Sequence, residues 1–146
     1  MSDFEISATL VIRGFRCDPQ VVTKTLGIVP TDTWLTGESV RPNADKKHRE
    51  NAWIKRINGT HQNASFEAIL TAFEKQLQPI KDKLRLLPQP HSISLYVAIL
   101  PLNYMPSVVL KKNHVTMLSE IGANFELVVY TDTDCTSKVC TRTVIA

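Results

Sequence analysis

The chain has 146 residues, the length of one domain, and a domain of this size buries about 68–70% of its unfolded surface without metal or disulfide staples. With 43% hydrophobic and 21% charged residues it is ordinary for a globular protein, which excludes wholesale disorder, a collagen-like fibre and a disulfide scaffold. The formal charge of +3 is small for a protein that reads phosphates along its surface.

Residues 4–13 (FEISATLVIR) alternate, with Phe4, Ile6, Ala8, Leu10 and Ile12 on one face and Glu5, Ser7, Thr9, Val11 and Arg13 on the other. That is the pattern of a half-buried strand. Asp18-Pro19 is an N-cap followed by proline at the first helical position. The helix runs from Pro19 to Leu26, and Gly27 closes it in a left-handed cap. An extended segment is expected over 31–36, then a polar, basic loop over 37–50. AWIKRI (52–57) reads as a second strand, ended by an Asn58-Gly59 turn.

Phe66, Ile69, Leu70, Phe73, Leu77, Ile80, Leu84 and Leu87 keep three-and-four spacing over six turns, with Asn63 or Ser65 as cap. Pro79 falls inside this stripe, so a kink or two abutting helices is predicted there. SISLYVAIL (92–100) is apolar on both faces and reads as a central strand, ended by Pro101. A third helix is expected over Ser107 to Ile121, closed by Gly122, with Leu110, His114, Met117, Leu118 and Ile121 on its apolar face. Val108 and Val115 then project opposite that face as a small patch, open to a partner or dimer contact or covered by the tail. FELVVY (125–130) is a strand, and 138–145 is read as an edge strand in a Thr-rich tail. The first strand–helix unit and the one around 92–130 echo each other in order, with different spacing.

The element order β-α-β-β-α-β-α-β implies an α+β two-layer sandwich over 1–146. Its sheet has about five strands, mainly antiparallel or mixed, with helices packed on one face.

The run Leu26-Gly27-Ile28-Val29-Pro30-Thr31-Asp32-Thr33-Trp34, then Gly37-Glu38, with Trp53 after a basic loop, resembles a bacterial family, domain of unknown function 4279. The closing piece, Leu118 to Gly122 and Phe125 to Tyr130, fits the same pattern. The resemblance covers residues 5–131 and leaves 132–146 as a polar tail. It implies a compact cytoplasmic α+β domain and brings no catalytic residues. Related small bacterial domains often serve as immunity proteins, which neutralise a toxin by binding it, and the resemblance implies that role as an expectation.

Chemistry-bearing constellations are weighed against plain structural roles. Cys17, Cys135 and Cys140 have no C-x-x-C spacing, and with His48, His61, His91 and His114 they form no zinc set. A reducing cytoplasm with free thiols is expected, and the sequons at Asn58 and Asn63 are expected to be idle. No signal peptide and no membrane span is read. His114 reads as a packing histidine and Cys17 as a loop cysteine ahead of a helix. Asp132 and Asp134 lack the glycine and distal glutamate of a calcium loop. Glu67, Glu74 and Glu120 sit on expected exposed helix faces. No metal or cofactor is expected, and no enzyme.

What remains is a basic patch. Residues 41–56 hold six Lys/Arg and two acids, a local +4 that exceeds the charge of the whole chain. Trp34 and Trp53 bracket it. Either one or both are core residues, as Trp is highly buried on average, or Trp34, Arg41, Lys46, Lys47, Arg49, Lys55 and Arg56 form a binding surface, since Trp and Arg are enriched at hot spots. The leading expectation is a monomeric or homodimeric domain that binds an acidic-surfaced protein, in the manner of an immunity protein. Single-stranded nucleic-acid binding through the same loop is the second. A small-ligand-binding domain or enzyme, with a pocket between sheet and helices involving His114, Cys17 or Trp34, is the third.

Overall fold

The computed structural model describes residues 3–62, 64–130 and 142–145, with the side chains of 58–62 and 142–145 left aside. Asn63, Asp132, Asp134, Cys135 and Cys140 lie outside the described residues.

The strands are β1 (Phe4–Arg13), β2 (Asp32–Trp34), β3 (Ala52–Gln62), β4 (Ser92–Pro101), β5 (Ala123–Tyr130) and β6 (Arg142–Ile145). They form one mixed sheet in the order β2-β3-β1-β4-β5-β6. The expected five strands and the tail edge strand are thus one sheet, the edge strand being described from Arg142. Every neighbouring pair is antiparallel except β4 and β5, which run parallel. A parallel pair needs a crossover, and helix α4 (Lys112–Ile121) lies in it. On the other side of the sheet, β2 and β1 are both antiparallel to β3 and therefore parallel to each other. The sequence echo is thus two strand–helix–strand units with parallel strands, the first split by β3.

Helix α1 (Pro19–Leu26) begins where the Asp18 carboxylate accepts the Gln20 N–H at 2.8 Å and ends at Gly27, φ +73°. Helix α2 (Phe66–Leu77) is capped by Ser65, whose hydroxyl accepts the Ala68 N–H at 3.1 Å. At Pro79 the regular helix gives way to a 3-10 turn (Gln78–Ile80) and the short helix α3 (Lys81–Leu84). The missing proline N–H accounts for the break.

All helices cover one face of the sheet. The alternating residues Phe4, Ile6, Ala8, Leu10 and Ile12 of β1 are buried beneath them, with Ile93, Leu95, Val97 and Ile99 of β4 and Leu70, Phe73 and Leu77 of α2. Trp53 belongs to this core at 0% exposure, and its indole N–H donates to Thr23 Oγ1 of α1 at 3.0 Å. Two exposed ion pairs clip the helices together: Lys111–Glu67 at 2.6 Å, and Lys81–Glu120.

Two sequence expectations need correction. Asn58-Gly59 does not end β3. The β1–β3 register steps from Ala8↔Ile57 to Ser7↔Thr60, so the two residues are absorbed as a bulge inside a longer strand. The helix expected from Ser107 begins only at Lys112. Over 106–110 burial alternates, with Pro106, Val108 and Leu110 turned inward and Ser107 and Val109 outward. The segment therefore follows period 2 rather than 3.6. Val108 accordingly packs against the core, and the exposed valines of this stretch are Val109 and Val115, at 58% and 50%.

Candidate functional site: a basic hairpin over the helix-free face

Among the described residues, the other face of the sheet carries no helix. The segment read as a polar loop covers part of it, and that segment is a small β-hairpin. His48 N–H donates to the Glu38 carbonyl at 2.8 Å, Gly37 N–H to the His48 carbonyl at 2.9 Å, and Val40 N–H to the Lys46 carbonyl at 2.9 Å. Ser39 and Lys47 form an antiparallel bridge, and Lys47 Nζ donates to Ser39 Oγ at 2.9 Å. Asn43, φ +62°, turns the chain between the two arms. Asparagine is among the non-glycine residues that tolerate this conformation best.

Two attachments fix the hairpin to the sheet. Asn51 Oδ1 accepts from the Thr36 N–H at 2.8 Å and from its hydroxyl at 3.0 Å, while Asn51 Nδ2 donates to the carbonyls of Phe15 at 2.9 Å and Cys17 at 3.2 Å. One amide thus ties both sides of the hairpin base to the turn after β1. The second attachment is a ring stack of Trp34 on His48, centroids 4.3 Å apart and planes 13° from parallel.

Between hairpin and sheet lies an open groove of about 1080 Å³. Its floor is Thr9, Val11, Ala52, Ile54 and Tyr96. Trp34, Val40 and the basic side chains of Lys46, Lys47 and Arg49 line the hairpin side, with Arg13 and Glu50 also present. At the far side the hydroxyls of Tyr96 and Tyr130 meet at 3.0 Å.

The two tryptophans therefore divide. They sit on neighbouring paired strands, Thr33↔Trp53 and Trp34↔Ala52, so alternation sends them to opposite faces. Trp53 is core and Trp34 lines the groove. Of the basic candidates, Lys46, Lys47 and Arg49 converge on the groove, and Arg41 is exposed at the hairpin turn, where its carbonyl accepts the Ala44 N–H. Arg56 is exposed on the same face of β3, with its N–H bonded to Thr31 Oγ1 at 2.9 Å. Lys55 does not join them. It pairs with Leu10 and shares the parity of Trp53, which places it on the helix side.

Four groove residues went unread in the sequence: His48, Tyr96, Tyr130 and Arg13. The signal for two of them was available. Ser94 and Tyr96 share a parity opposite to Leu95, and Thr9, Val11 and Arg13 form the polar face of β1. His48 had no such signal, because its place depends on the hairpin register.

His114 is 1% exposed and neither ring nitrogen has a hydrogen-bond partner; the nearest carboxylate oxygen, Glu74 Oε2, is 3.8 Å from Nε2. It lies on α4, on the helix side of the sheet. Trp34 and His114 therefore share no pocket. Cys17 is half-buried and unbridged. Among the described residues no group of three or more His, Cys, Asp or Glu is placed to hold a metal ion, and no helix is long and apolar enough to cross a membrane.

A family model described as domain of unknown function (DUF4279) matches residues 4–132, most of the chain. No curated protein and no solved structure matches.

Proposed function

The chain belongs to the DUF4279 family, and from that premise we propose that it is a non-catalytic domain that binds an acidic-surfaced protein through the 37–48 hairpin. The mode of action is that of an immunity protein: it covers the working surface of a toxin. The observation that carries the reading is the fixing of the hairpin by Asn51 and by the Trp34–His48 stack. A basic loop that merely solvates the domain has no need of such ties. One held in a single shape presents Lys46, Lys47 and Arg49 with little ordering left to do on binding. Its charge raises the encounter rate with an acidic partner.

Nucleic-acid binding draws on the same cations but asks for open aromatic faces on which bases stack. One face of Trp34 is already covered by His48.

The test is a growth assay with the product of the neighbouring gene. That product arrests growth when expressed alone, and co-expression of this chain restores it. The Lys46→Glu/Lys47→Glu/Arg49→Glu variant slows association roughly tenfold or more at low salt. A harmless or unbound neighbour overturns the immunity reading. An unchanged on-rate removes the hairpin from it. Tight binding of oligouridylate with a steep salt dependence replaces it with the nucleic-acid alternative.

A further inference from the structure

We propose that the groove beneath the hairpin receives an extended acidic segment of the protein partner, with one apolar side chain of that segment seated on the sheet. This rests on the protein-binding reading above and narrows the chemistry of the partner.

Size and openness come first. Small-molecule pockets enclose about 300–1,000 Å³ and cover most of their ligand. This groove is larger, about 1080 Å³, and open along the sheet. A chain segment crossing the face fits it better than an enclosed metabolite does.

Charge comes second. Among the described residues, four cations and a single acid, Glu50, line the groove. Lys47 is engaged by Ser39. Among the described residues no ion pair joins Arg13, Lys46 or Arg49 to a carboxylate. Two of these three are guanidinium forks, whose geometry matches a carboxylate with two parallel bonds. The complementary ligand carries carboxylates.

Third is the floor. Val11, Ala52 and Ile54 make an apolar strip between the cations and the Tyr96–Tyr130 hydroxyl pair. Val11 and Ala52 are already covered, at 6% and 2% exposure, but Ile54 is half-buried and Val40 is 39% exposed, and an aromatic or aliphatic side chain set between these two gains burial that a uniformly acidic chain does not. The tyrosine hydroxyls then face the backbone of the segment.

The experiment selects a displayed library of random 12-residue peptides on the immobilised full-length chain. The enriched set is expected to carry two or more Asp or Glu flanking one Leu, Phe or Trp. A synthetic peptide of that set lacking Trp shifts the Trp34 emission, while Trp53 stays silent in the core. Ile54→Arg fills the floor and weakens the peptide at least tenfold. Val40→Asp, on the exposed hairpin wall, does the same by repulsion and leaves the fold alone. Enrichment of neutral or basic peptides, no enrichment, or full displacement by oligouridylate overturns the proposal. So does a dimer in sedimentation whose interface hides the groove. If partner association depends on Lys46 and Arg49 but ignores both Ile54→Arg and Val40→Asp, the groove inference fails while the protein-binding reading stands.

Discussion

The two faces of this sheet are built on different principles. On the helix side, successive strands contribute aliphatic rows that helices α1 to α4 cover, and shape is held by apolar contact. On the other side, a 12-residue hairpin covers part of the face, and its position is held by one amide and one ring stack. Burial without direction suits a scaffold. A few directional bonds suit a surface that must present charge in one arrangement while leaving space beneath it. Substitutions on the two sides should therefore separate stability from order in the hairpin.

The largest effect belongs to the helix side. Leu95→Ala removes a fully buried side chain at the centre of the sheet and should cost about 2–5 kcal/mol in denaturant unfolding. A loss under about 1 kcal/mol breaks the contrast, because that face would then tolerate cavities. Next comes Asn51→Ala. It strips the carbonyls of Phe15 and Cys17 and the Thr36 N–H of their partner. A cost of about 1–3 kcal/mol is expected, with amide exchange accelerating over 36–48 and unchanged in β1 and β4. Uniform acceleration across the sheet would make Asn51 a part of the scaffold instead.

Trp34→Ala should cost about 0.5–1.5 kcal/mol for the lost stack. It should also loosen the hairpin arms, read as faster exchange at the His48 and Val40 amides. His114→Leu has the opposite sign. The histidine buries two nitrogens without hydrogen bonds, and an apolar replacement of similar size should be neutral or stabilising by about 1 kcal/mol. Marked destabilisation would show that the ring has a favourable interaction with Glu74, 3.8 Å away.

The smallest effect is with pH. The hydrogen bond from Lys81, then its charge, holds the Glu120 carboxyl below its usual range. A depressed carboxylate stabilises the fold above its unfolded pKa, and that contribution is lost as pH falls through the lowered folded value. Glu120→Gln should therefore lower the melting temperature slightly at neutral pH and leave it unchanged in acid, which flattens the acid limb, the small size being that of an exposed pair. An equal drop at neutral and acid pH would give the pair a packing role.

Most of the helix side was legible in the sequence, because each element there obeys a local rule. Asp18, Pro19 and Gly27 mark both ends of α1, and the stripe from Phe66 to Leu87 holds phase across Pro79. Misreadings occurred where a local rule met a longer contact. Asn58-Gly59 has turn chemistry, but β1 continues alongside and makes it a bulge. Val108 sits beside a helix that begins four residues later, and its place is set by the core it touches. The groove side was legible only as a composition, basic residues between two tryptophans. Its geometry comes from pairings such as Gly37 with His48, which no local period encodes. Parity across strands would have moved Lys55 out of the patch and brought Tyr96 in.

The ends of the hairpin excursion are themselves neighbours: Trp34 and Ala52 are register partners on β2 and β3. The excursion therefore begins and ends at one point of a finished sheet. Closing a loop between fixed neighbours costs only slowly more as the loop lengthens. So long as Asn51 and the β2–β3 pair remain, the intervening sequence is free to change in length, charge and reach without disturbing the scaffold. The domain is in this sense a mount with an exchangeable head. A lineage faced with a changing partner could rewrite about a dozen residues and keep everything else.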